Sequence, residues 1–173
     1  MVNYREKLKH ITTFIFDFDG VLSDGKVWVL PNGEQLRATG VKDGYALQYA
    51  LKKGYRVAVI SGGIGESMRL RYRKFTNMEI YLEVSNKNEV FQQYLAKHNI
   101  TGDEVLVMGD DIPDLDVMKQ CAIKTCPADA AEEVKAISDY ISHKKGGEGA
   151  ARDIIEQTLK AQGRWMEADA TIW

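Results

Sequence analysis

Short runs of consecutive apolar residues alternate along the chain with longer stretches in which apolar positions recur at helical spacing. The short runs predict strands at Thr12–Phe18, Arg56–Ile60, Glu79–Leu82, Glu104–Met108 and Ala122–Thr125. The longer periods predict helices at Gly44–Lys53, Ile64–Phe75, Lys87–His98, Ile112–Lys119 and Gly149–Ala161. Val57-Ala58-Val59-Ile60 and Val105-Leu106-Val107-Met108 are apolar at every position. Strands covered on one face alternate with polar residues, so unbroken runs mark parallel strands covered by helices on both faces. The expected class is α/β, a Rossmann-like three-layer fold with a central parallel sheet. One stretch departs from the rhythm: Lys26–Arg37 places two short strands about Asn32-Gly33, a hairpin signal. It reads as a small flap over residues 26–39. No repeat, low-complexity stretch or linker divides the chain, so residues 1–163 read as one domain and 164–173 as a C-terminal tail. In that tail Trp165 and Trp173 are expected to be ordered by a partner.

Composition leaves this picture standing and removes several classes. A chain of 173 residues, 45% hydrophobic and 28% charged, is ordinary for one domain with a sizeable core. A net charge of −2 gives no polybasic footprint for nucleic acid or an anionic membrane. Arg69, Arg71, Arg73 and Lys74 read first as a solvated helix face. No apolar stretch approaches a membrane span and the first residues lack the apolar core of a signal peptide, so a cytoplasmic location is expected. Cys121 and Cys126, with no histidine at ligand spacing, are expected as free thiols, buried or nearly so.

Candidate chemistry sits where strands end. In open α/β sheets ligands bind outside the carboxyl ends of the strands, so polar residues that close successive apolar runs converge. Asp17-Phe18-Asp19-Gly20 closes the first run, and side chains at i and i+2 of an extended chain point the same way. Asp17 and Asp19 can therefore address one metal ion or one phosphoryl group together. Ser61-Gly62-Gly63 follows the second strand, Lys87 opens the helix after the third, and Gly109-Asp110-Asp111-Ile112-Pro113-Asp114 follows the fourth. Each suits phosphoryl transfer. Asp17 can attack phosphorus, while Asp110 with Asp111 or Asp114 helps to hold Mg²⁺. Ser61 and the backbone N–H groups of Gly62 and Gly63 can bind phosphate oxygens, and Lys87 adds a fixed positive charge.

Taken singly, each element is common: serine before Gly-Gly is usually a turn, and acidic pairs after strands often cap helices. The series Asp-x-Asp, Ser, Lys, Gly-Asp-Asp-x-x-Asp in this order resembles the haloacid dehalogenase superfamily of aspartyl-phosphate phosphatases. Receiver domains carry similar residues in a different order. Asp17 to Gly25, Lys42-Asp43-Gly44 and Gly146 to Asp153 are further similar to the cap-less branch that dephosphorylates 3-deoxy-D-manno-octulosonate 8-phosphate, over almost the whole chain. The spacing agrees, since Gly25 to Ser61 has room only for the flap and one helix. The resemblance implies a Mg²⁺-dependent, homotetrameric sugar-acid phosphatase of cell-envelope (lipopolysaccharide) synthesis. It implies Asp17 as nucleophile, Asp19 as acid and base that binds metal through its backbone carbonyl, Asp110 as metal ligand, and Asp111 and Asp114 as supporting residues. Ser23 stands where threonine is usual, Asn86 where aspartate is common, and Gly63 where relatives often carry arginine or glutamate. Gly63, Glu66, Lys74 and Arg152 are the substrate-binding candidates. Relatives acting on nine-carbon sialic-type acids pair a glutamate at the Gly63 position with a lysine that Lys74 matches, so half of that pair is missing here, with Glu66 one helical turn on as a residue that could substitute for it. With no lid, a neighbouring subunit is expected to close the site. Gly146–Arg152 is a candidate closing piece, or only the loop before the last helix. A catalytically silent oligomerisation module is the rival from another class, and it would lack a nucleophile, metal ligand or lysine.

Overall fold

The computed structural model describes residues 3–172; Trp173 lies outside them. Six parallel strands form the central sheet: β1 (Thr13–Phe16), β4 (Arg56–Ile60), β5 (Met78–Tyr81), β6 (Val105–Met108), β7 (Ile123–Cys126) and β8 (Tyr140–Ile141). Their order is β5-β4-β1-β6-β7-β8. Between β1 and β4 lie the flap strands β2 (Trp28–Val29) and β3 (Gln35–Leu36), antiparallel to each other, and helix α2 (Val41–Lys52). The remaining helices are α1 (Tyr4–Lys7), α3 (Glu66–Arg71), α4 (Lys87–His98), α5 (Leu115–Met118), α6 (Glu132–Ile137) and α7 (Ala150–Ala161).

The unbroken apolar strands are explained by two cores. Phe14 and Phe16 of β1 face α2 and α7, packing with Leu47, Ala50, Ile154 and Ile155, whereas Ile15 between them faces α4 and α5, with Phe91, Val117 and Met118. Alternate residues thus bury on opposite faces, as period-two geometry requires. The chain runs from β1 outward to β4 and β5, then crosses to β6, β7 and β8 on the other side. The carboxyl end of β1 is therefore the point where strand order reverses, which opens a crevice there.

Several expected boundaries move. The first strand stops at Phe16 because the Phe18 carbonyl accepts the N–H groups of Val21, Leu22 and Ser23 and turns the chain. The helix expected at Ile64–Phe75 shrinks to Glu66–Arg71, preceded by Gly65 at φ +139° and followed by a Tyr72–Phe75 turn. The segment expected as helix Ile112–Lys119 starts as a 3₁₀ turn over Ile112–Asp114 before α5. The α6 and β8 elements carry too few residues to show a period, and neither was expected.

The segment Gly146–Arg152 is built into its own chain. A Cβ at Gly146 would lie 1.9 Å from the Gly20 carbonyl oxygen, and the Gly147 N–H donates to the Val21 carbonyl at 2.9 Å. Buried Asp43 of α2 accepts the N–H groups of Gly149 and Arg152 at 3.1 and 2.8 Å, capping α7 from a neighbouring helix. This strap holds the turn that follows Asp17. Nor does Trp165 need a partner to be held: it stands edge-on to Tyr45 and Tyr49 of α2, with the Arg152 guanidinium over its ring. Cys121 and Cys126 are free and buried.

Candidate active site

The strand order brings the ends of β1, β4, β5 and β6 to one cleft of about 430 Å³, lined among others by Asp17, Asp19, Ser61, Gly62, Gly63, Asn86 and Lys87. Asp17 still donates its N–H to the Met108 carbonyl at 3.0 Å, so its place beside β6 is set by the sheet. Gly20 then has to be glycine twice over. Its φ is +83°, and a Cβ there would lie 2.0 Å from Asp110 Oδ2. The two acidic loops can approach only because that side chain is missing.

Asp114 organises the second loop. Its Oδ2 accepts the Asp110 N–H at 3.0 Å, and its Oδ1 accepts from Lys87 Nζ at 2.7 Å. Lys87, at the first position of α4 beyond its cap Asn86, also stands 2.9 Å from Asp17 Oδ1, and both side chains of that pair are about 10% exposed. Asp111 instead caps the turn, accepting the Ile112 N–H at 2.8 Å. The carboxylates of Asp17, Asp110 and Asp114 each offer an oxygen within 4.8 Å of the others. Three carboxylates face one ammonium. Burial first, then the Asp114 charge, push Asp17 up to about 6 against the opposing pull of Lys87. Burial, Asp17 and Asp114 push Asp110 up to about 8. Burial works against the Lys87 charge, but Asp17 and Asp114 outweigh it and raise its pKa.

These residues fit a divalent cation. Asp110 Oδ1 is buried with no hydrogen-bond partner, and the excess negative charge is of the kind a hard cation neutralises. Asp114 is the least available ligand of the three, since both its oxygens are committed to Lys87 and the loop backbone.

On the other wall, Ser61 is buried, and its Oγ accepts the Gly63 N–H at 3.1 Å. Gly62 is thus the freer backbone donor of the pair. The helix behind this loop starts only at Glu66, so the loop itself forms the cradle. Asp19 turns its carboxylate away from the acidic cluster: Oδ1 accepts Ser23 Oγ at 3.3 Å and Arg37 Nε at 2.6 Å. Arg37 was not foreseen, because nothing about a lone arginine in a hairpin marks which carboxylate it meets.

Two expected residues lie elsewhere. Lys74 lines a separate cleft with Gln48, Lys52, Phe75 and Asn77, ahead of the start of β5. A helix after a parallel strand runs back down the sheet, so a residue past its end sits at the opposite end from the site. The Arg152 guanidinium lies over the Tyr45 and Trp165 rings and pairs with Glu156 at 3.5 Å, outside the cleft. Glu66 is exposed in the first turn of α3, directly behind the Ser61–Gly63 loop.

Residues 60–154 match the family model of haloacid dehalogenase-like hydrolases. Over 162 residues, 94% of this chain and 86% of the relative, it is 36% identical to 3-deoxy-D-manno-octulosonate 8-phosphate phosphatase of Escherichia coli K12. The chain belongs to the haloacid dehalogenase-like hydrolases. This hydrolase superposes with TM-score 0.90, at 31% identity and 95% coverage of both chains, on the Moraxella catarrhalis 3-deoxy-D-manno-octulosonate 8-phosphate phosphatase in complex with magnesium, phosphate and the KDO molecule. The cobalt-bound Haemophilus influenzae phosphatase matches with TM-score 0.89 at 29% identity, covering 95% of this chain and 98% of that one. Only the flap and α2 separate β1 from β4, so this hydrolase carries no cap domain between them. Among the described residues no helix is long and apolar enough to cross a membrane.

Proposed function

We propose that this phosphoric monoester hydrolase removes phosphate from 3-deoxy-D-manno-octulosonate 8-phosphate, through an aspartyl-phosphate on Asp17 and with Mg²⁺ as cofactor, in the cytoplasm. The observation that carries the reading is Asp17 at the strand-order reversal, 2.9 Å from Lys87 and facing the Ser61–Gly62 loop across one cleft. An Asp17 oxygen attacks phosphorus, and the ester P–O bond breaks as Asp19 passes its proton to the leaving oxygen. Asp19 then takes a proton from water, whose oxygen attacks phosphorus and releases Asp17 and inorganic phosphate. Lys87, Ser61 Oγ and the Gly62 N–H bind the phosphoryl oxygens throughout. A cation held by Asp17, Asp110 and the Asp19 carbonyl would neutralise charge on the attacking carboxylate and the phosphate.

The eight-carbon acid is favoured over a nine-carbon one because neither half of the glutamate–lysine pair stands at the cleft. Position 63 is glycine, and Lys74 is at the far end of the sheet. A phosphate-release screen with Mg²⁺ over both sugar-acid phosphates is expected to give the higher kcat/KM with the eight-carbon substrate. A clear nine-carbon preference would overturn the choice of sugar.

A homotetramer is part of the same reading. Trp28 and Val29 at the flap are each 68% exposed, beside half-exposed Val27, Leu30 and Leu36, an apolar surface that a monomer gains nothing by presenting. Trp28→Glu is expected to reduce the sedimenting mass below that of the wild type. It should also lower kcat/KM for the sugar-acid phosphate more than for a small generic ester, which needs no closure. A wild type that sediments as a monomer with full activity contradicts the assembly.

A further inference from the structure

Arg37 sits just past β3 at the base of the flap, and its side chain is only 3% exposed. Three of its donors are committed in three directions: Nε to Asp19 Oδ1 at 2.6 Å, Nη1 to the Ile64 carbonyl at 2.9 Å, and Nη2 to Gln35 Oε1 at 3.1 Å. The guanidinium is therefore fixed to the flap on one side and to the phosphate loop on the other. Asp19 Oδ1 receives both Arg37 and Ser23, so it is the occupied oxygen. Oδ2 is turned to the phosphate loop, where a Cβ on Gly63 would lie 2.9 Å from it.

Position 63 lies in the same crowded place. A Cβ there would also stand 3.1 Å from Met68 Cε and 3.2 Å from Arg37 Nη2. These contacts are tight on three sides, and the group that crowds the position from the flap is the arginine.

We propose that Arg37 is a positioning residue for Asp19, holding Oδ1 so that Oδ2 alone is presented to the reacting centre. This role rests on the phosphatase reading above. A carboxylate free to rotate about its side-chain torsions would reach the leaving oxygen in only a fraction of its orientations, and small misplacements of a catalytic group are costly. A guanidinium already held by the Ile64 carbonyl and Gln35 loses little freedom in fixing it.

The test compares leaving groups. Single-turnover release is measured with Mg²⁺ for the sugar-acid phosphate, whose alkoxide needs a proton, and for p-nitrophenyl phosphate, whose phenolate leaves without one. Arg37→Ala is expected to slow alcohol release on the order of 10²-fold, within the range of general-acid effects, and nitrophenolate release by less than about threefold. Mg²⁺ affinity should stay at its wild-type value, Tm should fall because the Ile64 carbonyl and Gln35 lose their donor, and Arg37→Lys should recover part of the catalytic loss. Gly63→Ala, which crowds Asp19 and Arg37, should show the same split between esters. Equal losses with both esters would assign Arg37 a merely structural role, and a raised KM with kcat kept would make it a substrate contact; either overturns the proposal. A wild type inactive toward every phosphate monoester would instead overturn the phosphatase reading, and this role with it.

Discussion

Asp17→Asn is expected to abolish phosphate release from every monoester, a loss on the order of 10⁴-fold or more, while the protein stays folded. The amide has the shape of the carboxylate but offers no charged oxygen to phosphorus, so no covalent intermediate forms. Folding should not suffer. Burial and the Asp114 charge disfavour the ionised Asp17 carboxyl, and a neutral amide removes that cost while Lys87 keeps Asp114 as a partner. Asp19→Asn is expected to lose less, about 10²–10⁴-fold, because it removes proton transfer and leaves the nucleophile. The measurements are phosphate release and mass spectrometry of acid-quenched enzyme for the phosphorylated aspartate. Near-normal turnover by Asp17→Asn would end the mechanism.

The second large effect is metal removal. Excess chelator should silence the enzyme, and the response of stability to Mg²⁺ should depend on pH in a definite direction. Asp17 at about 6 and Asp110 at about 8 are raised above an unfolded carboxylate near 4. The metal-free folded state thus binds more protons than the unfolded chain across that window. Stability from these two groups is greatest at low pH and is lost as pH rises through about 6 and then about 8. A cation replaces those protons, so it binds more weakly at pH 5 and stabilises more at pH 8. At a hundred times its dissociation constant at pH 8, Mg²⁺ should contribute about 2.7 kcal/mol, a Tm rise of roughly 5–10 °C for a chain of this size. At pH 5 the same concentration should give a much smaller rise. Asp110→Ala should remove most of the gain. Asp114→Ala should reduce it indirectly, by releasing the Asp110 loop and Lys87. Full activity in excess chelator, or an equal Tm gain at both pH values, would exclude this account.

What could be read directly from the sequence was whatever short-range chemistry enforces. A strand buried on both faces must be apolar throughout, so β4 and β6 announced themselves, and residues that close such strands in a parallel sheet must converge. Asp17, Ser61, Lys87 and Asp110 were therefore legible as one site, and α4 was expected with the bounds it has, since Asn86 caps it and its period is long. Short elements such as α6 and β8 complete no period and left no trace.

Other features were decided by tertiary structure alone, because they depend on distances between residues far apart in the chain. The direction in which α3 runs takes Lys74, a candidate only by its match to relatives, away from the cleft to the side where β5 begins. The closeness of Gly146 to Gly20 turns the glycine-rich segment before α7 into a strap behind the turn that follows Asp17, and stacking on Tyr45 and Trp165 claims Arg152 for the helix packing. Arg37 meets Asp19 only because the hairpin folds back over the end of β1. Local pattern determines which residues are available at the end of a strand, and packing determines which distant side chain comes within hydrogen-bond reach of them.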